Sequence, residues 1–364
     1  MIISEITAFF EKHIPLQFQE NYDNSGLQFG NLSNVVQGVL LCIDVTEDVV
    51  KEAVNLNCNL IISHHPLIFS GLKYLRGTTY VERALIMAIK NDIAIYSIHT
   101  NIDNFSDGVN KKICEKLGLI NCKVLAPVQN FLYKLVTFVP DSYAVKVRES
   151  LFTAGAGHIG NYDSCSYTIN GNGTFRALDA ANPFVGKTGE FHTEPETRIE
   201  TIIPKHLINK VVSALKQNHP YEEVAYDIYP VINDWELMGA GMIGELEHET
   251  DALDFLKKIK QLFNAEMIRY TPLLGKPIKK VALCGGSGSF LLPNAKAQNA
   301  DIFISSDFKY HQFFDAEAKI VIADIGHFES EQFTQEIFYD LLTKKFTNIA
   351  VYFTSVNTNP LKYL

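Results

Sequence analysis

Histidines and carboxylates follow the ends of four short apolar runs in this sequence. In chain order, the side chains just after these runs are His64 and His65, His99 and Asp103, Asp307 and His311, and His327 and Glu331. In a parallel α/β sheet, ligands bind beyond the carboxyl ends of the strands, so residues far apart in the chain can converge there. Imidazole nitrogens and carboxylate oxygens together suit Zn²⁺, Fe²⁺, Mn²⁺ or Co²⁺. The pattern therefore predicts a divalent-metal site at a sheet edge.

His327 and Glu331 strengthen this prediction because they stand four residues apart at a predicted helix start. That spacing aims both side chains to one side of the helix, as in helical metal sites. Taken singly, Glu331 equally fits a solvated glutamate in a first helical turn, and Asp103 equally fits a turn or a helix cap. The metal interpretation therefore rests on the joint pattern, in which a bridging carboxylate could hold two ions.

Two further histidines, His99 and His311, are candidate catalytic residues. Each could be a third metal ligand, could orient a ligand, or could act as a general acid or base. His311 equally fits an exposed histidine on a surface helix. Asp44, which follows the apolar run GVLLCI, fits either an outer carboxylate of the site or a helix cap.

Two glycine-rich runs do not indicate a nucleotide-binding loop. The run Val281–Phe290 follows a predicted strand, but it lacks the P-loop lysine and the full GxGxxG spacing. We interpret it as a tight turn between a strand and a helix. The run Gly155–Gly160 has the GxGxxG letters, but no apolar strand precedes it.

Apolar runs alternate with helical periodicity in the first and last thirds of the chain. The predicted strands are Gly38–Ile43, Leu60–Ile62, Ile93–Ile98, Lys280–Cys284, Ile302–Ser305, Ile320–Ala323 and Ile349–Phe353. The predicted helices between and around them are Ile2–His13, Glu47–Leu56, Tyr80–Asn91, Gly108–Leu117, Asp251–Phe263 and Ser330–Leu342, with a further one around Ala295–Gln298. Near-continuous apolar strands joined by helices predict an α/β fold with largely parallel sheets.

The middle of the chain has a different pattern. Longer strands are predicted at Tyr133–Val139 and Thr197–Ile203, followed by a helix over Lys205–Lys216 and a strand led by Pro220. In outline this is a β-α-β-β-α-β unit, which is typical of a ferredoxin-like α+β domain. We therefore expect a two-part α/β core over residues 1–128 and 236–364, interrupted by an inserted domain over residues 129–235.

Composition excludes several classes of protein. The chain has 364 residues, 47% of them hydrophobic, and a formal net charge of −9, which excludes intrinsic disorder and argues against broad binding to nucleic acid or anionic membranes. Charged residues such as Glu5 and Glu11 interrupt the N-terminal segment, and no later run approaches the ~20 apolar residues of a membrane span. Six scattered cysteines without a CxxC pair predict free thiols. We expect a soluble, cytoplasmic protein.

Several of these motifs together resemble the Nif-three-like family, dinuclear-metal proteins named GTP cyclohydrolase 1 type 2 homologs. The motifs that occur in the family's order are ISHHP (62–66), HTNID (99–103), CGGSGS (284–289), DFKYH (307–311) and GHFESE (326–331). YDNSGLQFG (22–30) is similar to the family's N-terminal signature, with Tyr22 in the place of a tryptophan. GAGMIGEL (239–246) is similar to the segment that re-enters the core after an insert.

The resemblance implies a ligand set, an insert and an assembly. It places the metal ligands of two divalent ions per subunit at His64, His65, Asp103, His327 and Glu331, with Glu331 or Asp103 as the bridge. It implies a toroidal homohexamer built as a trimer of dimers. GHIGNYDSCSY (157–167) and HPYEEVAYDIYP (219–230) resemble motifs of the PII/CutA-like insert of the longer family members.

The function implied by the resemblance is hydrolytic. In the family's named activity, water attacks the purine C8 of GTP, the imidazole ring opens and formate is released. This predicts a metal-dependent hydrolase with a small-molecule, nucleotide-type substrate, but a metal pair suits phosphoester or amide hydrolysis equally well. One alternative is a non-catalytic metal-binding or regulatory protein whose insert senses a small ligand. Another is a scaffold that binds other proteins.

Overall fold

The first sheet contains five strands drawn from both ends of the chain. Numbered along the chain, they are β1 (Gly26–Phe29), β2 (Val39–Cys42), β3 (Leu60–Ser63), β4 (Ala94–Ser97) and β15 (Val351–Phe353). In the computed structural model, which describes all 364 residues, their order is β1-β4-β3-β2-β15. Strands β15, β2, β3 and β4 are parallel, whereas β1 is antiparallel to β4. Every residue of β2, β3 and β4 is buried, because helices cover both faces of the sheet.

The second sheet contains six strands. They are β5 (Ile120–Val128), β10 (Trp235–Thr250), β11 (Arg269–Tyr270), β12 (Ile278–Leu283), β13 (Ile302–Ser305) and β14 (Val321–Asp324). Their order is β11-β14-β13-β12-β10-β5. The central strands β12, β13 and β14 are parallel, and β10 and β11 pair antiparallel with β12 and β14.

Nine helices accompany these two sheets. They are α1 (Ile3–His13), α2 (Glu47–Asn55), α3 (Tyr80–Lys90), α4 (Thr100–Asp103), α5 (Val109–Leu117), α8 (Ala252–Leu262), α9 (Leu292–Ala297), α10 (His327–Glu331) and α11 (Thr334–Lys345). Helices α1, α5, α8 and α11 contribute Phe10, Ile113, Phe255 and Phe338 to one hydrophobic core that includes residues of both sheets. This shared core ties the two sheets into one compact unit, Met1–Pro127 with Leu237–Leu364.

Residues Val128–Glu236 form a second compact unit. Its elements are β6 (Leu132–Pro140), α6 (Ala144–Thr153), β7 (Ser166–Arg176), β8 (Phe191–Pro204), α7 (Ile208–Asn218) and β9 (Tyr226–Val231). The four strands are antiparallel in the order β7-β8-β6-β9. Helices α6 and α7 pack on one face of this sheet through a core that includes Leu135, Val147, Ile199 and Val211.

The predicted α/β class is confirmed, with three differences in detail. The sheets are mixed rather than largely parallel, because β1, β10 and β11 add antiparallel strands. These strands carry exposed and half-buried positions, so they lack the continuous apolar pattern of a central strand. The helix predicted over Ser330–Leu342 is two helices, and the strand expected at Pro220 begins at Tyr226. No helix in the structure is both long and apolar enough to cross a membrane.

Candidate metal centre

Six side chains converge at the carboxyl ends of strands from both sheets of the first unit. They are His64, His65, His99, Asp103, His327 and Glu331. The first two directly follow β3, the next two lie at the start and end of the α4 segment beyond β4, and the last two are the ends of helix α10 beyond β14. The strand-end pattern in the sequence thus corresponds to one cluster in space.

Three overlapping groups within this cluster could hold a metal ion, since the ligand atoms in each lie within 4.8 Å of one another. The groups are His64 with Asp103 and Glu331, His65 with His327 and Glu331, and His64 with His65 and His99. Glu331 lies at the centre. Its Oε2 atom is 3.6 Å from His64 Nε2, 3.0 Å from His65 Nε2 and 3.1 Å from His327 Nε2.

Each histidine of the cluster directs its Nδ1 atom to an oxygen outside the cluster. The pairs are His64 with the Ile98 carbonyl at 3.0 Å, His65 with Asp44 at 2.8 Å, His99 with Asp23 at 2.7 Å, and His327 with Asp307 at 2.6 Å. Because these oxygens accept the hydrogen bonds, Nδ1 carries a proton, and each ring in its neutral form offers the lone pair of Nε2 to a metal ion. A carbonyl or carboxylate behind each imidazole is the usual support of a metal-binding histidine.

Three buried ligand atoms without hydrogen-bond partners also fit the binding of a divalent cation. His64 Nε2, Asp103 Oδ1 and Glu331 Oε2 are buried atoms that form no hydrogen bond within the protein. Burying a polar atom without a partner is costly, so native proteins rarely leave three such atoms together. A cation bound among them would satisfy all three atoms.

The charges of the cluster are strongly coupled. Burial opposes ionisation of Glu331, but the neighbouring histidines outweigh burial and hold the pKa of this carboxyl well below its usual range. Burial also opposes protonation of His65 and His327, but the carboxylates beside them raise the pKa to about 10 and about 11. Burial and the charge of Glu331 raise the pKa of Asp103 well above its usual range. Positive charge is therefore favoured here, and a divalent cation can supply it in place of protons.

Asp23 is a further member of the site, and it lies outside the strand-end motifs. Its Oδ1 accepts from His99 Nδ1, and its Oδ2 accepts from the backbone N–H of Thr100 at 3.0 Å and from the Thr100 hydroxyl. Burial opposes its ionisation, but the interaction with His99 and the hydrogen bonds from Thr100 and the Asn24 backbone together outweigh burial and hold the pKa of Asp23 below its usual value. Asp23 lies 76 residues before its partner, in the segment YDNSGLQFG, so no local spacing pointed to it. The resemblance of that segment to a family signature was the available signal.

The remaining predicted residues occupy different places. Asp44 is the carboxylate behind His65, which is the outer position considered for it. His311 lies on a 3-10 helix over Tyr310–Ala316, exposed, with its ring against Tyr310 and Phe314. It belongs to none of the three groups, and the structure does not bring it to the cluster.

The glycine-rich turn after β12 makes room for Glu331. Gly286 has a φ of +61°, and a Cβ atom added to it would lie 2.2 Å from Glu331 Oε1. We expect Gly286→Ala to displace the carboxylate and to lower divalent-metal affinity by about 10- to 100-fold, as measured by calorimetric titration. Gly275→Ala is the matched control, because Gly275 also has a positive φ but has no atom within 4 Å of the added Cβ. Equal losses in both variants would contradict the prediction.

Aromatic side chains stand at one side of the cluster. The ring centroids of Phe69 and His99 are 6.2 Å apart, and those of Tyr22 and Phe69 are 6.4 Å apart. Tyr22 and Phe69 are 67% and 49% exposed. Such rings beside a polar cluster are suited to pack against a planar molecule.

Comparison with known proteins places these features in a family. Residues 1–360 match the family described as Duf34/NIF3 (NGG1p interacting factor 3). A Halalkalibacterium halodurans protein named GTP cyclohydrolase 1 type 2 homolog is 39% identical over 364 residues, covering 99% of this chain and 98% of the relative. The Bacillus subtilis protein of the same name is 35% identical over 370 residues, covering 99% and 98%.

Solved structures agree with this placement. A crystal structure of a Bacillus cereus protein related to NIF3 superposes with a TM-score of 0.87 at 39% identity, covering 100% of this chain and 99% of that one. The Staphylococcus aureus protein SA1388 superposes with a TM-score of 0.81 at 28% identity, with the same coverage. The whole chain, including its middle unit, thus has the architecture of these proteins.

Proposed function

The chain belongs to the Duf34/NIF3 (NGG1p interacting factor 3) family, and from this premise we propose that it is a metal-dependent hydrolase of the GTP cyclohydrolase 1 type 2 kind. The observation that carries the proposal is the group of three buried ligand atoms without hydrogen bonds, on His64, Asp103 and Glu331. The names of the curated relatives support the choice of reaction.

We propose two divalent ions per subunit, of zinc, iron, manganese or cobalt. His64 and Asp103 would hold one ion, His65 and His327 would hold the other, and Glu331 would bridge them. This assignment is supported by the two groups in the cluster that share Glu331. When bound, such a pair supplies Lewis acidity and lowers the pKa of a bound water molecule toward neutral pH.

The chain's own residues would manage protons and position the substrate. His99 presents Nε2 toward the cluster, because Nδ1 is bound to Asp23, so it is placed to take or give a proton. Tyr22 and Phe69 would pack against the planar base of a purine nucleotide. Loss of C8 as formate consumes two water molecules, one to open the imidazole ring and one to release the formyl group.

The test of this proposal is formate release from GTP by metal-loaded protein. We expect wild-type protein to release formate and His64→Ala to release none above background, because the variant loses a ligand nitrogen. His248→Ala is the matched control, since His248 is exposed on β10 and lies outside the cluster. Folded, metal-replete wild-type protein that releases no formate from GTP would contradict the proposal.

The second candidate function is a non-catalytic metal-binding or regulatory protein whose middle unit senses a small ligand. It is favoured by one observation, namely that the middle unit has a cavity of its own. It predicts that a ligand of the middle unit changes metal affinity while no substrate is turned over.

We also propose that residues 129–235 are an inserted ferredoxin-like domain of the PII/CutA type. The β-α-β-β-α-β order and the antiparallel sheet order β7-β8-β6-β9 support this. The proposed assembly is a toroidal homohexamer, a trimer of dimers, as the family resemblance implies. Its test is light scattering during size-exclusion chromatography, with an expected mass about six times the 40.9 kDa of one chain.

A further inference from the structure

The middle unit contains a cavity of about 960 Å³ that is separate from the metal cluster. Glu196 and Arg198 of β8 line it, whereas Ile199 of the same strand belongs to the core beneath α6 and α7. Because successive strand residues point to opposite faces, the cavity lies on the face of the sheet away from the helices. Its volume is within the range of about 300–1,000 Å³ that is usual for small-molecule sites.

Glu196 is a carboxylate in the wall of this cavity that forms no ion pair. It is only 8% exposed, and no basic side chain lies within 4.0 Å of it. The Tyr221 hydroxyl donates to its Oε1 at 2.8 Å. Its Oε2 lies over Gly173, where an added Cβ atom would be 2.1 Å away. The glycine thus leaves space that the carboxylate occupies, and Oε2 remains available to a ligand.

The residues around Glu196 are held in place before any ligand binds. The Tyr221 N–H donates to His219 Nδ1 at 3.1 Å, so His219 carries its proton on Nε2 and donates to the Phe138 carbonyl at 2.9 Å. Burial, and then the hydrogen bond to Glu196, raise the pKa of Tyr221, which keeps its hydroxyl a donor at neutral pH. Tyr221 is therefore fixed at both its backbone and its hydroxyl.

Aromatic rings supply the apolar part of the wall. Phe138, Phe175, Phe184 and Tyr221 all line the cavity. The Tyr221 ring centroid is 6.3 Å from that of Phe175 and 6.2 Å from that of Phe184. The loop that carries Phe184 is fastened across the cavity, because the backbone N–H of Asn182 donates to Glu222 at 2.9 Å.

We propose that this cavity is a binding site for a small organic cation, a protonated amine or amidine carried on a planar aromatic body. The ammonium or amidinium would donate to Glu196 Oε2 and neutralise the buried charge, which is the strong, charge-assisted class of hydrogen bond. The aromatic body would lie among the four rings, whose faces also attract cations. Arg198 lies two residues along β8, about 7 Å away; its Nη2 pairs with Glu200 at 2.8 Å, and its Nε is buried without a partner. The Arg198 guanidinium would donate to an oxygen of the ligand on that side.

The test uses full-length protein and matched probes. We expect phenethylamine and benzamidine to bind wild-type protein in ligand-observed NMR titrations, and 3-phenylpropionate, which has the opposite charge, to bind at least tenfold more weakly. Glu196→Gln should weaken binding of both cations at least tenfold. Glu194→Gln is the matched control and should bind both cations as tightly as wild type does. Glu194 lies two residues before Glu196, pairs with His192 and does not line the cavity.

A second variant, Phe184→Ala, tests the aromatic wall of the cavity. Phe184→Ala removes a ring that is 49% exposed. It should weaken the binding of both cations without unfolding the unit, as checked by circular dichroism. Equal binding of the cations to wild type and Glu196→Gln would overturn the proposal. Absence of cation binding to wild-type protein would also overturn the proposal. A lower oligomer mass for Glu196→Gln would then identify this face as a contact between copies.

Discussion

Glu331→Gln is expected to abolish divalent-metal binding, with an affinity loss of at least about 1,000-fold that calorimetric titration of metal-free protein would measure. The physical reason is the central position of Oε2, which lies within 3.6 Å of the Nε2 atoms of His64, His65 and His327. Glutamine has nearly the same shape but offers one neutral oxygen, so a bound cation would lose the negative charge of the carboxylate.

The same substitution has a consequence for stability. A metal ion that binds only the folded protein stabilises it by about 4 kcal/mol when present at 1,000 times its dissociation constant. Wild-type protein should therefore melt at a higher temperature in the presence of Zn²⁺ or Mn²⁺, whereas Glu331→Gln should not respond. Glu329→Gln is the matched control, because Glu329 is on the same helix and 5% exposed but belongs to none of the metal groups. A full metal response in Glu331→Gln would contradict the assignment.

Asp23→Asn is expected to lower kcat for formate release by about 100-fold or more while the metal content stays unchanged. Asp23 accepts the hydrogen bond from His99 Nδ1, which fixes the ring orientation and leaves Nε2 facing the cluster. An asparagine amide can present its nitrogen instead, which favours the other tautomer and removes the proton acceptor from the site. The effect should appear in kcat and in the pH-rate profile rather than in KM.

This variant also separates two roles of His99. If His99 were a metal ligand, loss of the carboxylate behind it would lower metal affinity by about 10- to 100-fold. If His99 instead transfers a proton during the reaction, metal affinity in Asp23→Asn is unchanged and only turnover falls. Asp107→Asn is the control, because Asp107 is an exposed carboxylate of the segment that follows α4. Unchanged kcat in Asp23→Asn would remove His99 and Asp23 from the proposed chemistry.

The cluster was accessible from the sequence because its members directly follow buried strands. His64 and His65 come after an apolar run that can only be a central strand, and His327 and Glu331 have helical spacing just after another. Parallel strands place such residues at one edge, so chain separation was no obstacle. The absence of hydrogen bonds at His64 Nε2, Asp103 Oδ1 and Glu331 Oε2 was not predictable, because the burial of single atoms leaves no pattern in a sequence.

Other parts of the protein were not predictable for identifiable reasons. The antiparallel edge strand β1 is half exposed, so its four residues show no continuous apolar run. Asp23 reaches His99 through a loop whose path depends on tertiary contacts, such as the Ser25 hydroxyl donating to Asn101 at 3.0 Å. In the cavity of the middle unit, Glu196 Oε2 lies over Gly173 of the neighbouring strand, diagonally from Gly171, the residue paired with Glu196. This contact depends on the register of β7 and β8, which no sequence pattern shows.

The most direct test of the metal centre is an anomalous difference map from crystals grown with Zn²⁺ or Mn²⁺. We predict two peaks per chain, each about 2 Å from nitrogen and oxygen ligand atoms, with Glu331 in contact with both. One peak should also contact His64 and Asp103, and the other should contact His65 and His327. A map with no peak at this cluster, or with a single peak that leaves His65 and His327 without a metal, would contradict the dinuclear site.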